Sequence, residues 1–310
     1  MRAICVAASL GLAMTIGLGW PVGTAGAEPA TFDSAEAAVE ALVGALEAGG
    51  GPALLDVFGP ESADVMLTGD EGRDRQIASD LLASYRAAHV LVPGEDGSLT
   101  LSVGFERWPF PVPLVATGAG AWRFDVDAGR EELRVRTIGE NELAVIDLLR
   151  RYVQVQAAYR QVDYDGDGVM EYADAILSDP GSRNGLYWPS GPGLPDSPVG
   201  DLMARASADG YASGAVVNPP EPYLGYLYRV LTRQGLAAPG GARDYRVDGH
   251  MVSGHALLAF PADYGESGIM SFLVGEDGIV YEADLGPDTL AIAGAISSYD
   301  PDERWTASGE

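Results

Sequence analysis

Apolar residues recur at helical spacing three times along this chain, and at strand spacing in two clusters that follow. Val39, Leu42, Val43 and Leu46 mark a first helix, opened by a capping box at Asp33 and Glu36 and closed by Gly49-Gly50-Gly51. Leu67-Thr68-Gly69-Asp70 reads as a turn, and Ile77, Leu81, Leu82 and Tyr85 place a second helix over Arg75 to His89. The period then shortens to two. Leu99 to Val103, Val112 to Ala116 and Trp122 to Val126 alternate as strands, separated by Pro-rich and Gly-rich turns.

The best amphipathic helix runs from Asn141 to about Val162, with Leu143, Ile146, Leu149, Val153 and Ala157 as its buried stripe. A Gly/Pro/Ser-rich stretch from Ser178 to Asp201 is too long for a simple connector, so we read it as an ordered surface loop or lid. The C-terminal third is strand-like over Tyr223 to Leu231, Tyr245 to Val247, Val252 to Phe260, Gly268 to Val274 and Ile279 to Ala283. Glu276-Asp277-Gly278 predicts a hairpin turn, because Asp-Gly tolerates the positive φ angles a tight reversal needs. The pattern predicts an α+β protein. Residues 28–138 form N-terminal helices plus a small antiparallel sheet, with a boundary near Arg136 to Gly139. Residues 139–310 form a long helix packed on an antiparallel sheet.

Composition changes this picture at the N-terminus. Met1-Arg2 precedes the acid-free apolar stretch Ala3 to Trp20, and Ala25-Gly26-Ala27 supplies a small-x-small cleavage site, so residues 1–27 read as a secretory signal peptide. Glycines at 11, 17 and 19 and Pro21 break that stretch below the ~20 residues of a comfortable membrane span. The single cysteine, Cys5, lies within it, so the mature chain has no thiol for disulfides, thiolate catalysis or thiolate-bound metals. Loss of Arg2 takes the net charge from −26 to −26 − 1 = −27. Such a charge repels nucleic acid and anionic membranes and favours cations and basic partners. The chain is expected in the periplasm or outside the cell, with no later segment of membrane-spanning length.

One constellation carries specific chemistry. Asp163, Asp165, Asp167, Val169, Glu171 and Asp174 occupy positions 1, 3, 5, 7, 9 and 12 of a loop with Gly168 at position 6 and Met170 at position 8. This is the EF-hand calcium pattern: a hard cation needs six or more oxygens, and alternating aspartates on a tight loop aim several carboxylates at one point. Val169 contributes a backbone carbonyl and Glu171 acts directly or through water. Asp174 departs from the usual Glu at position 12, which shortens its reach and weakens bidentate ligation. Calcium is the expected cofactor, as a structural staple.

Catalytic readings are weaker. His89 sits near the end of the second predicted helix, in a surface or capping place. His250 and His255 are five apart on a strand-like stretch, so alternation sends them to opposite faces. Ser253 between them lacks a G-x-S-x-G elbow. Tyr187, Trp188, Tyr223, Tyr226 and Tyr228 could line a groove for sugar or peptide, but Tyr226 and Tyr228 share a strand face and Gly225 points to close packing, so core is the stronger reading.

Several segments carry a resemblance. Trp108-Pro-Phe-Pro-Val-Pro-Leu114, Gly120-Ala-Trp122-Arg-Phe124-Asp125, Arg136-Thr-Ile-Gly139-Glu-Asn141-Glu142-Leu143, Gly185-Leu-Tyr-Trp188-Pro189 and Pro222-Tyr223-Leu-Gly225-Tyr226 resemble the bacterial family called domain of unknown function 2950. That family has no established activity, so the resemblance implies an exported bacterial protein and supplies no catalytic residues. Phe260-Pro-Ala-Asp-Tyr-Gly265 and Gly268-Ile-Met-Ser-Phe272 through Val280 are more weakly similar to the globular part of type IV pilin-like proteins, which implies a long helix on an antiparallel sheet. Taken together, the sequence points to a non-enzymatic, calcium-stabilised envelope or secreted module acting on an unknown protein or envelope surface. A periplasmic hydrolase or a glycan- or peptide-binding protein is the alternative.

Overall fold

The computed structural model describes residues 29–208 and 220–309, so the expected signal peptide lies outside the described residues. The chain divides into two compact units, Met1–Val135 and Arg136–Glu310, and the class is α+β.

In the first unit, helices Ala35–Glu47, Pro52–Phe58 and Glu71–Ala87 accompany an antiparallel sheet of His89–Pro93, Leu99–Val103, Trp108–Pro109, Leu114–Ala116 and Trp122–Phe124. The first helix is capped by Ser34, whose hydroxyl accepts the Ala37 N–H at 3.1 Å, so the capping residue stands one place after Asp33. Asp70 caps the Glu71–Ala87 helix through the Gly72 and Arg73 N–H groups at 2.8 and 3.0 Å. Those two bonds hold its carboxyl below the ordinary range. The core is built on Phe58, whose ring centroid lies 4.5 Å from that of Phe124 and 6.1 Å from that of Phe110, with Leu42, Leu101 and Leu114 buried around them. Arg130 binds Asp64 with two nitrogens at 2.6 and 3.1 Å and Asp127 with a third at 2.7 Å. The short helix Pro52–Phe58 and the strand His89–Pro93 were not expected; both follow Gly- or Ala-rich joints where periodicity carries little signal.

The long helix spans Val126–Tyr159, beginning fifteen residues before Asn141. Arg136 to Gly139 therefore lie inside it, and Gly139 is accommodated with no close neighbour where a Cβ would stand. Its buried stripe is also rotated from the expected one. Val145, Leu149, Tyr152, Gln156 and Tyr159 face inward, whereas Leu143 is 69% exposed and Ala157 is exposed.

Polar tips explain the rotation. Tyr152, Gln156 and Tyr159 bury large side chains because each finds a partner: the Tyr152 hydroxyl donates to the Ala256 carbonyl at 3.2 Å, and that of Tyr159 to the Arg183 carbonyl. The Gln156 amide donates to the Tyr152 hydroxyl and the Ala173 carbonyl, both at 3.0 Å, and accepts the Ala173 N–H at 3.0 Å. A stripe chosen by apolarity alone misses residues whose burial depends on such partners.

The helix from Asn141 onward lies on a five-stranded antiparallel sheet. In sheet order the strands are Thr306–Ala307, Val280–Asp284, Met270–Gly275, Ala256–Pro261 and Tyr226–Leu231. Glu142 accepts the Ile269 and Met270 N–H groups, both at 2.9 Å, and Asn141 donates to the Ser267 carbonyl at 2.9 Å. The expected hairpin at Glu276-Asp277-Gly278 is present, with Val274 paired to Val280 and Gly278 at φ +74°. The strand expected from Tyr223 starts at Tyr226, because Leu224 and Gly225, at φ +54° and +74°, form a turn instead. A Cβ on Gly225 would lie 2.8 Å from Asn141 Nδ2, which is the close packing that its place between tyrosines implied. Tyr226 and Tyr228 are core residues, with hydroxyls bonded to the carbonyls of Met270 and Tyr223. Arg229 donates to the carbonyls of Ala293, Gly294 and Ile296 and so caps the Thr289–Ala295 helix. The Ser178 to Asp201 stretch contains the strand Gly185–Tyr187, and its Trp188 is buried with the indole N–H on the Pro195 carbonyl at 2.8 Å. No helix of the described residues is long and apolar enough to cross a membrane.

Gln156 supplies a test. Gln156→Leu keeps the volume but strands the Ala173 N–H and carbonyl in the core, which should cost about 3 kcal/mol from the penalties of unpaired buried groups. Urea denaturation should show the lower midpoint with an unchanged slope; a loss below about 1 kcal/mol would mean that water replaces the amide.

Candidate metal centre

The long helix ends at Tyr159, and the acidic loop follows within four residues. Short-range hydrogen bonds fold it. Asp163 accepts the N–H of Gly166 at 2.7 Å on one oxygen and that of Gly168 at 2.9 Å on the other. Asp165 accepts the Asp167 N–H at 3.3 Å, and Asp167 accepts the Val169 N–H at 2.7 Å. Gly166 and Gly168 take φ of +81° and +91°, which side chains rarely adopt, so glycine is required at the two points where the chain reverses under Asp163. The Gly168 and Gly166 N–H groups hold the Asp163 carboxyl below its usual value.

The result is that oxygens of Asp163, Asp165 and Asp167 lie within 4.8 Å of one another, half-buried for Asp163 and exposed for the other two. Val169, at position 7, is half-buried directly after them. This donor set is all oxygen and open to solvent, which suits a hard cation that keeps some of its water.

The remaining two acids turn elsewhere. Glu171 accepts the Met251 N–H at 3.0 Å, and burial raises its carboxyl above the ordinary range. Asp174 pairs with Arg246 at 2.7 Å and accepts the Asn184 amide at 3.2 Å. The reason is the exit of the loop. An EF-hand leaves through a second helix that carries position 12 back to the ion, whereas here the chain continues extended. The Asp174 N–H bonds the Asn184 carbonyl at 3.0 Å, and Ala175–Leu177 pairs in parallel with Gly185–Tyr187. Met170, at the apolar position 8, is 50% exposed.

A hairpin that sequence reading overlooked grips this side of the loop. Asp248 and Gly249, at φ +54° and +95°, form a two-residue turn between Arg246–Val247 and His250–Met251. Arg246 meets Asp174 there, and His250 Nδ1 lies 3.3 Å from Asp167 and 3.5 Å from Glu171. The Asp-Gly dipeptide at 248–249 was the available signal, the same one that located the 277–278 turn.

The other catalytic candidates are separated. His89 is exposed at the start of a strand, not on a helix, and stacks on Tyr85 with ring centroids 3.9 Å apart. His255 is 1% exposed, edge-on to Tyr152 and Tyr172, and its Nδ1 has no hydrogen-bond partner. Among the described residues no hydrogen bond joins Ser253 to either histidine; its N–H bonds the Tyr245 carbonyl at 3.0 Å.

The chain belongs to a family described as protein of unknown function, DUF2950, which matches residues 29–307. No curated protein matches it. No solved structure matches either, so the pilin-like likeness gains no support from that side.

His255 makes stability depend on pH. Burial is the main cause that pushes its imidazole down to about 4 from an ordinary 6.5. The folded-state value is therefore the lower one, and the unfolded chain takes up the proton first. This titration costs no stability above pH 6.5, and the loss that develops as pH drops from 6.5 to about 4 reaches about 3 kcal/mol at the lower limit. His255→Phe should flatten that part of the melting-temperature profile relative to the parent; parallel profiles would show that His255 titrates normally.

Proposed function

We propose that this chain is an exported bacterial protein whose second unit is stapled by calcium, and that it works through non-covalent contacts at the envelope or outside the cell. The observation that carries the calcium reading is the convergence of Asp163, Asp165 and Asp167 within 4.8 Å on a loop folded by its own N–H bonds. Those three carboxylates and the Val169 carbonyl would hold the ion, with Glu171 reached through water and Asp174 available only by leaving Arg246. Water would complete the six or more oxygens.

Such a site is weaker than one closed by a bidentate glutamate. Calcium modules outside the cell bind at ~0.1 to 1 mM, and ion concentrations there suit that range. Export is supported by the charge, apolar stretch and small-x-small site of residues 1–27. The non-catalytic reading is supported by a buried His255 and by a His250 engaged with the loop. The alternative of a hydrolase has no comparable constellation among the described residues.

A thermal melt of the mature protein in EDTA and in calcium tests the site. At about 100-fold over the dissociation constant, one ion stabilises by ~2.7 kcal/mol, which for a unit of this size raises the midpoint by about 5 to 10 °C. The double variant Asp165→Ala/Asp167→Ala should melt identically in both. An unshifted parent would remove calcium from this account.

A further inference from the structure

The sheet of the first unit has an outer strand at each end, and the chain covers only one of them. At Trp122–Phe124, Phe32 forms a bridge, with its N–H on the Trp122 carbonyl at 2.8 Å and the Trp122 N–H on its own carbonyl at 2.7 Å. The opposite strand, His89–Pro93, is exposed at every position except the half-buried Leu91. The sheet of the second unit leaves no comparable edge: Ser207 bridges Tyr228 at one end, and the strand at the other is only Thr306–Ala307.

The ladder determines which backbone groups of His89–Pro93 point outward. Just beyond its ends the Gly104 N–H bonds the Ala88 carbonyl at 2.8 Å and the Gly94 N–H bonds the Ser98 carbonyl at 2.9 Å. Bonding alternates along an antiparallel pair, so Val90 and Val92 direct their N–H and C=O groups toward Leu99–Val103, and His89, Leu91 and Pro93 direct theirs away. The rim therefore presents the N–H groups of His89 and Leu91 and the carbonyls of His89, Leu91 and Pro93. Among the described residues no backbone group bonds to them on that side.

Sheet edges are ordinarily guarded by charge, by a bulge or by brevity. This strand carries no charged residue, and its register runs unbroken from His89 opposite Val103 to Pro93 opposite Leu99. Val90 and Val92 are 41% and 40% exposed on one face. The helix Glu71–Ala87 that leads into the strand is also thinly covered: Ala78 is its one buried residue, and Leu81, Leu82 and Tyr85 are half-buried.

We propose that a second copy of this chain occupies this edge, through antiparallel pairing of His89–Pro93 with itself about a two-fold axis at Leu91. Only an extended chain can satisfy donors and acceptors that alternate at strand spacing. Self-pairing places each Leu91 N–H on the opposite Leu91 carbonyl and each His89 N–H on the opposite Pro93 carbonyl, so the N–H that proline lacks falls at the two ends. It sets Val90 against Val92 of the second copy on both sides of the axis, a favourable cross-strand pair. It also lays both copies of the Glu71–Ala87 helix on one face of the joined sheet. Charge selects the orientation: antiparallel pairing carries the acidic turns at Glu95-Asp96 to opposite ends, whereas parallel pairing would set them side by side. A charged peptide, by contrast, would find no counter-charge on the strand.

Sedimentation equilibrium of the mature chain at ~20 and ~500 mM NaCl tests this. A rim this short belongs to the weak, transient class of interface, so a dimer is expected on the order of 100 µM. It should tighten with salt, because each copy carries a large negative charge whose repulsion is then screened. In amide hydrogen exchange followed by NMR, Leu91 should gain protection as concentration rises, while Val90 and Val92, bonded within the sheet, stay protected throughout. Leu91→Pro removes the outward N–H at the axis and should weaken the dimer about tenfold or more. Val92→Lys should abolish it, and Leu236→Lys, the same change of charge at a residue 84% exposed in the second unit, should not weaken it. Circular dichroism melts confirm that each variant folds. A chain that stays monomeric to about 1 mM at high salt overturns the proposal, as does a dimer that salt weakens or that Val92→Lys leaves intact.

Discussion

The buried amide of Gln156 ties the long helix to the strand-like segment that leaves the acidic loop. A primary amide offers two donors and an acceptor, and three of its hydrogen-bonding atoms are used here: toward Tyr152, and toward both the carbonyl and the N–H of Ala173. The Tyr152 hydroxyl passes the connection on to the Ala256 carbonyl in the sheet. One polar relay therefore joins helix, loop exit and sheet in a place with no solvent, where a half-satisfied network would be worse than none. An aliphatic side chain of the same size would fill the space and leave Ala173 without partners.

The acidic loop inherits its geometry from that clamp. Its entry is set by Tyr159, whose hydroxyl reaches the Arg183 carbonyl, and its exit by Ala173. With both ends held, the aspartates are brought together by the protein, and the closure entropy is met before a cation arrives. A cation then has mainly to offset the mutual repulsion of three carboxylates. The same clamp fixes the exit as extended chain, and this is why Asp174 meets Arg246 and Asn184 instead of swinging toward Asp163.

Much of this architecture was legible in the sequence because it depends on local rules. The Ala35–Glu47 and Glu71–Ala87 helices, the C-terminal strands and the turn at Gly278 follow from periodicity and from the φ tolerance of glycine. What was not legible depends on partners distant in the chain. The stripe of the long helix turns on Tyr152, Gln156 and Tyr159, which count as polar until their acceptors at 256, 173 and 183 are known. The loop's first three aspartates could be read from spacing alone, since their bonds stay within five residues. Glu171 and Asp174 could not, because Met251 and Arg246 lie more than seventy positions away.

Charge follows the same division between local and distant. Acids outnumber arginines 45 to 19, so a description by net charge predicts only repulsion of anions. The structure distributes those arginines among specific carboxylates: Arg130 with Asp64, Arg205 with Asp201 and Glu221, Arg246 with Asp174. A one-to-one pairing cancels a local field and a shared arginine leaves one acid over, and at physiological ionic strength the field beyond such a group decays within ~8 Å. What a ligand meets is therefore the residue of this cancellation. It is negative at the open face of Asp163, Asp165 and Asp167, whose oxygens lie within 4.8 Å of one another. Pairing geometry, rather than the sum of charges, therefore determines the sign that is met at each place on the surface.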